Sequence, residues 1–384
     1  MDEAKINNPD AGEGCGAREN HGAREGQLAA HLRPLVVKIG SSTLTTSESK
    51  IDYAFLDDVA RQVARVREAG FSPIIVTSAA IACGLEALGI ERRPTDMPSL
   101  QAAASVGQSA LSAGYARAFA QHGIITSLVL LTRRDTADRT AYLHARDTLS
   151  RLLEMGVVPI VNENDTVSVE QIRFGDNDTL AALVACLVEA ELMVILSDID
   201  GLYDANPTKV EGAHLIECVE RIDESIMGAA GDAGSVVGSG GMITKLTSAR
   251  VLGAAGIPLV ICSGRAEDAV VRSLADDPIG TLFTGADVPH EITPRKLWIA
   301  LGDSVKGTLL VDAGAARAIV EDGASLLAVG VKNVEGEFEA EDVVDVVDEA
   351  GFVIARGLAR CSAESMRSGK ADVAVHRDEL ILFE

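Results

Sequence analysis

The chain has 384 residues, of which 47% are hydrophobic and 3% aromatic, and its formal net charge is −23. That apolar content excludes a wholly disordered chain, and the length suffices for two domains with buried cores. The negative field and the scarcity of stacking aromatics argue against a nucleic-acid partner, and any nucleotide site must be locally basic. Residues 1–32 are polar and Gly-rich, without the apolar stretch of a secretory signal, and read as a mobile extension. Six scattered cysteines without a C-x-x-C pair argue against a disulfide framework or a zinc site and fit a reducing cytoplasm.

From residue 35 the elements alternate. LVVKIG (35–40) reads as a buried strand, residues 52–69 as an amphipathic helix and SPIIVTS (72–78) as the next strand. An Ala-rich helix over 99–121 precedes a strand at 125–132. A helix over 139–155, stopped by Gly156, precedes a strand at 157–164. TVSVEQIRFG (166–175) alternates like a hairpin. GDND (175–178) opens a helix to about residue 190, and LMVILSD (192–198) is again a strand. A helix begins within SGGMITK (239–245), and IPLVICSG (257–264) closes the series. The longest apolar stretch, Leu180 to Leu196, is interrupted by Glu189 and Glu191, so no membrane span is expected. Strands alternating with helices predict an α/β fold, a three-layer αβα arrangement around a mostly parallel sheet. After about residue 285 the rhythm changes to short strands, RKLWIALG among them, with one short helix. The expected organisation is an extension over 1–32, an α/β domain over 33–285 and a small β-rich domain over 294–384.

No P-loop is present: GGMITK has Thr244 where that motif needs glycine before lysine, and it follows a loop. No H-E-x-x-H occurs either, and the seven histidines are dispersed. Instead, small and polar residues recur at strand ends, in KIGSS (38–42), TSAA (77–80), NEND (162–165), SD (197–198) and CSG (262–264). In open α/β sheets that edge is where ligands bind. Lys38 ends the first strand. Lys245 lies just inside a helix entered through glycines, where free N–H groups favour an anion. Asp176 and Asp178 are simple helix caps on one reading. On the other, Asp178 sits between the two lysines and orients both, while Asn162, Asp165 and Asn177 bind a polar substrate. The charged helix around DRTAYLHARDT (138–148) reads as a solvated or subunit-contacting face.

In order, VVKIGSSTL, VTSAAIACG, LLTRRD, ARDTL, PIVNENDTV, GDNDTLAALVA, SDIDGLY and GSGGMITKLTSA resemble the glutamate 5-kinases of the amino-acid kinase superfamily. The C-terminal stretch resembles the PUA domain carried by bacterial members. The resemblance implies transfer of a phosphoryl group from ATP to the γ-carboxylate of L-glutamate, with Mg²⁺, as the first step of proline biosynthesis. By motif, Lys38 and Lys245 stabilise the transferring group and Asp178 organises them. Ser78, Asp165 and Asn177 bind glutamate, with Asn162 nearby. Lys38, Gly40, Ser197, Asp198, Ser239, Gly240, Gly241, Met242, Ile243, Thr244 and Lys245 hold ATP. Feedback inhibition by proline, a homo-oligomer (dimer or tetramer) and handover to a glutamyl-phosphate reductase are implied in the same way. A site without histidine suits this chemistry, since a carboxylate nucleophile with a pKa of about 4.3 needs no general base.

Other acceptors of the superfamily (acetylglutamate, aspartate, carbamate, UMP) stay open at this stage, as does a regulatory or RNA-binding protein on an inactive kinase fold. Residues 294–384 hold 10 Lys+Arg against 17 Asp+Glu, a net of −7, which argues against RNA binding through that domain. One departure stands out. The family turn reads TSGAI, and this chain has Ala79 at the glycine. A left-handed backbone there would strain alanine. A right-handed one would turn attention to a methyl crowding the phosphoryl path. The expectation is a chain that keeps the fold and nucleotide binding but turns over more slowly than an Ala79→Gly version.

Overall fold

The computed structural model describes residues 32–48, 50–132, 139–167, 177–207, 209–223, 225–228, 241–276, 278–285, 294–301 and 305–383. The first sheet is built from β1 (Pro34–Ile39), β2 (Ser72–Val76), β3 (Thr126–Leu131), β4 (Val158–Glu163), β5 (Leu192–Ser197), β6 (Cys218–Val219), β7 (Leu259–Ser263) and β8 (Thr281–Phe283). Its helices are α1 (Ser41–Leu44), α2 (Tyr53–Glu68), α3 (Ala80–Ala87), α4 (Met97–Ala120), α5 (Arg139–Glu154), α6 (Asn177–Leu187), α7 (Met242–Ala254) and α8 (Ala269–Arg272). The strand order is β3-β4-β2-β1-β5-β7-β8-β6, parallel except where β8 runs against β7.

β1 and β4 are buried along their whole length, as strands covered on both faces must be. Side chains alternate across β1. Leu35, Val37 and Ile39 join one core with α2, α4 and α8, and Val36 joins the other with α5, α6 and α7. Each such side chain contributes about 1.5–3 kcal/mol by leaving water. The sheet is therefore the middle of three layers, as expected. The short strands β6 and β8 at its far edge were not anticipated.

The second sheet contains β9 (Gly307–Val311), β10 (Leu326–Leu327), β11 (Val331–Gly336), β12 (Val343–Val347), β13 (Val353–Ala359) and β14 (Val373–Leu382), in the order β10-β14-β13-β12-β9-β11. α9 (Pro294–Leu301) precedes it, and α10 (Ala313–Val320) and α11 (Ala363–Arg367) flank it. The expectation of a strand at RKLWIALG is corrected here: the segment is helical. Pro294 opens it with a φ already suited to a first turn, and buried Leu297, Ala300 and Leu301 recur at helical spacing. Of the hairpin expected at 166–175, Thr166 and Val167 lie in a turn and the rest falls outside the described residues. Cys83, Cys186, Cys262 and Cys361 are free, but Cys218 is disulfide-bonded. Spacing along the chain could not announce such a bridge. No helix among the described residues is long and apolar enough to cross a membrane.

The two sheets share a core. Leu246 and Ala249 of α7 cluster with Leu297 of α9 and with Val343, Leu358 and Phe383 beyond it. Arg250 of α7 crosses this junction, its guanidinium 4.3 Å from the Phe383 ring centroid and 5.1 Å from that of Phe352. It donates to the Val353 carbonyl oxygen. Burial, helped by nearby Arg356, lowers its pKa to about 10. The helix that carries Lys245 is thus braced against the C-terminal sheet.

Candidate functional site

The C-terminal ends of β1, β2, β4, β5 and β7 lie along one edge of the parallel sheet, and polar side chains converge there. Lys38 comes from the end of β1, Asp178 from the first turn of α6 and Lys245 from the first turns of α7. Asp178 Oδ1 lies 2.5 Å from Lys38 Nζ, and Asp178 Oδ2 lies 3.0 Å from Lys245 Nζ. All three are buried, Asp178 completely. Burial pushes the Asp178 carboxyl toward its neutral form, but the two ammonium groups outweigh it and bring the pKa down to about 2. Asp178 is therefore ionised at neutral pH. The triad carries one surplus positive charge in a water-poor setting, where a fixed charge acts most strongly on an anion.

Next to the triad lies a cluster of amides. Asn177 Nδ2 shares its hydrogens among the Thr77 carbonyl at 2.5 Å, Asn162 Oδ1 at 2.9 Å and Ser78 Oγ at 3.1 Å. Asn162 Oδ1 also accepts from the Glu163 N–H at 2.9 Å, and Asn162 Nδ2 donates to Gln108 Oε1 at 2.7 Å. Thr77 is held from the other side by the buried Tyr115 hydroxyl, 2.8 Å from Thr77 Oγ1. Asp165 sits in the turn after β4, where burial raises its pKa to about 6 against a smaller opposing pull from Arg93.

On the opposite flank, Gly241 is the N-cap of α7, and among the described residues no side chain caps that end. A Cβ built on Gly241 would meet nothing within 4 Å among the described residues. Thr244 Oγ1 bonds the Gly241 carbonyl at 2.7 Å and lies 3.4 Å from Asp178 Oδ2. A Cβ on Gly40 would stand 3.7 Å from Lys38 Nζ, an ordinary contact distance, which places this glycine directly beside the lysine head. Ser197 is buried at the end of β5 and bonds Asp198, which is exposed, at 3.1 Å. Met242 is half-buried and Ile243 exposed, so backbone rather than side chain is what they can offer a ligand. A glycine-led helix N-terminus beside two buried lysines fits a polyphosphate.

The amino acid kinase family model matches residues 33–263, and the PUA domain model matches residues 307–380. A glutamate 5-kinase of Moorella thermoacetica is 44% identical, over 94% of this chain and 99% of its own length. One from Caldanaerobacter subterraneus subsp. tengcongensis is 42% identical over 91% and 98%, and one from an Azoarcus species 45% over 92% and 98%. The chain belongs to the glutamate 5-kinase family.

Against the family turn TSGAI, Ala79 can now be judged. It has φ 72° and ψ 11°, the left-handed region, immediately before α3. A Cβ in that region costs about 1–2 kcal/mol. The turn therefore keeps a glycine-like backbone in spite of its methyl, which packs in the apolar core beside the sheet. The left-handed backbone puts the expected cost of the methyl on stability. Ala79→Gly is expected to raise stability by somewhat under about 1 kcal/mol, because glycine also loosens the unfolded chain by roughly 0.4–1 kcal/mol. The turnover number should stay within about twofold, since the N–H direction is already set. Denaturant titration and steady-state kinetics of the two proteins check both halves.

Of the residues expected at the site of this glutamate 5-kinase relative, the structure brings Lys38, Ser78, Asn162, Asn177, Asp178 and Lys245 together. Asp165 stands at the exit of β4, and Gly40, Ser197, Asp198 and Gly241–Thr244 stand on the opposite flank. Ser239 and Gly240 fall outside the described residues. Three participants were not anticipated: Thr77, whose carbonyl anchors Asn177, Tyr115 behind it, and Gln108. A signal for Gln108 did exist. It lies on the stripe of α4 that buries Ala104, Leu111 and Tyr115, an amide among apolar neighbours at helical spacing.

Proposed function

We propose that this protein transfers the γ-phosphoryl group of ATP to the γ-carboxylate of L-glutamate, releasing ADP and L-glutamyl 5-phosphate, the first step of proline biosynthesis. The observation that carries the reading is the buried Lys38–Asp178–Lys245 triad beside a cage of amides at the C-terminal sheet edge. The γ-carboxylate attacks phosphorus, and the bond from phosphorus to the β,γ-bridging oxygen breaks, leaving on ADP. Charge spreads over the oxygens in flight, and Lys38 and Lys245 stabilise it. Asp178 keeps the ammonium groups apart and aimed. Ser78, Asn162 and Asn177 hold the amino acid. Gly241–Lys245, with Ser197 and Asp198, receive the nucleotide, and Mg²⁺ carried by its phosphates would supply further charge neutralisation there. Because an acyl phosphate hydrolyses readily, the product is handed on to a reductase. Proline, an amino acid with the same ammonium and carboxylate, is the expected inhibitor, and a cytoplasmic homo-oligomer is the expected form.

Asp165 takes the substrate ammonium group. Its raised pKa makes this testable. The linkage is that of a group whose folded pKa exceeds its unfolded value of about 3.9: stability from its protonated form is full below about pH 4 and lost as pH rises through about 6. Substrate binding runs the other way, since only the ionised carboxylate attracts an ammonium group. KM for glutamate is expected to be about tenfold higher at pH 5 than at pH 8, as ionisation falls to about one tenth a unit below the pKa. In Asp165→Asn the profile flattens at a high KM. An ADP-release assay with ATP and Mg²⁺, offered glutamate, N-acetylglutamate, aspartate, carbamate or UMP, tests the reading as a whole. Activity with another acceptor and none with glutamate would remove it.

A further inference from the structure

Gln108 is at least nine-tenths buried, and its Nε2 has no hydrogen-bond partner among the described residues. The orientation of that amide follows from its neighbours. The Glu163 N–H can only donate, so the atom of Asn162 it meets is the oxygen. The other end of Asn162 is then an NH₂ group, and the atom of Gln108 facing it is an oxygen. What Gln108 has left is therefore an NH₂ donor. Unmet buried donors cost about 1–3 kcal/mol and are rare without a purpose. This one is the end of a directed chain that starts beside Asp178, runs through Asn177 and Asn162, and stops without an acceptor.

We infer that Gln108 is a substrate-binding residue whose Nε2 donates to the α-carboxylate of the bound amino acid. The inference rests on the reading of the acceptor as glutamate. With the γ-carboxylate at Lys38 and Lys245, the second carboxylate must lie away from the triad. Gln108 is removed from Asn177, the neighbour of Asp178, by two side-chain hydrogen bonds, and it offers what a carboxylate requires. The donor is neutral, so it adds geometry without the desolvation cost of another buried charge.

Two variants separate this role from packing. Gln108→Glu keeps an oxygen to accept from Asn162 and replaces the donor with a second oxygen. Gln108→Met removes both without adding charge. Steady-state kinetics at pH 8 are measured for both and for the unaltered chain, with thermal melts alongside. In both variants KM for glutamate is expected to rise about tenfold to hundredfold, the range for a lost hydrogen bond to a charged group. KM for ATP should stay within about twofold in both, and Gln108→Glu should melt below the unaltered chain because it buries a carboxylate with no cation beside it among the described residues. An unchanged glutamate KM in Gln108→Met overturns the assignment. So does a rise confined to Gln108→Met with a lowered melting temperature and a parallel rise in ATP KM, which marks a packing role. Failure of the unaltered chain to release ADP with glutamate is a separate result, and it removes the substrate reading itself.

Discussion

Asp178→Asn is expected to lower the turnover number with glutamate by about a thousandfold and to destabilise the nucleotide-free protein by about 3–5 kcal/mol. The side chain keeps its size, so the loss is one of charge. In the native protein the completely buried carboxylate lies 2.5 Å from one ammonium nitrogen and 3.0 Å from the other. Without it, two buried cations face each other with an amide between them. They must separate, or one must give up its proton. Either outcome takes positive charge from the place where, in the proposed mechanism, the transferring phosphoryl group needs it. Phosphoryl transfer depends on positioning and charge more than on covalent help, so few other groups can compensate.

The same substitution has a pH signature. Asp178 titrates well below an ordinary carboxylate, at about 2. A group with a depressed folded pKa contributes stability that is present above its unfolded value, about 4, and lost as pH falls through its folded value. The unaltered protein should lose that contribution between about pH 4 and pH 2, and Asp178→Asn should lack that segment of the acid slope. ATP brings negative phosphates to the stranded lysines, so it should raise the melting temperature of the variant more than that of the parent. Melting curves with and without ATP, and single-turnover rates, decide the matter. A variant with parental turnover would remove the organising role given to Asp178.

The triad and most of the α/β domain were legible for one reason. Strands buried on both faces read as continuous apolar runs, and their C-terminal ends place polar residues where ligands bind. Lys38 and Lys245 stood out because lysines are rare among such strand ends and glycine-led helix starts. Other features were hidden because their cause lies in contacts far apart in the chain. Gln108 meets Asn162 across 54 positions, so its place on the apolar stripe of α4 could flag a buried amide but not the partner it meets. The segment Pro294–Leu301 reads as a strand by its bulky apolar residues, but the surface it packs on comes from α7 and the C-terminal sheet. Tertiary burial overrode local preference there. The conformation of Ala79 was undecidable from composition, because alanine is an unusual occupant of a left-handed turn.

Gly107→Ala is expected to be as damaging to function as many changes inside the site, although Gly107 bears no polar group. It sits on α4 where α3 crosses at very close range. A Cβ there would lie 1.8 Å from the Ala80 carbonyl oxygen and 2.3 Å from the Gly84 nitrogen. Both are backbone atoms, so no side chain can turn aside, and the helices must move apart. Overpacking of this kind costs typically 1–3 kcal/mol and more when backbone must shift, and about 3 kcal/mol is expected here. The displacement lands where it matters. Ala80 directly follows Ser78 and the left-handed Ala79, and Gln108 directly follows Gly107. Both walls of the proposed amino-acid site move together, and a misplacement of about 1 Å can cost about a hundredfold in rate. The expected pattern is a turnover number about a hundredfold lower, a raised KM for glutamate and little change in KM for ATP, whose proposed site is on the opposite flank. Gly228→Ala, at an exposed glycine whose added Cβ would meet nothing within 4 Å, serves as the control and should leave stability and kinetics unaltered. Equal behaviour of the two variants would show that the close crossing of α3 and α4 is not what holds the binding turn in place.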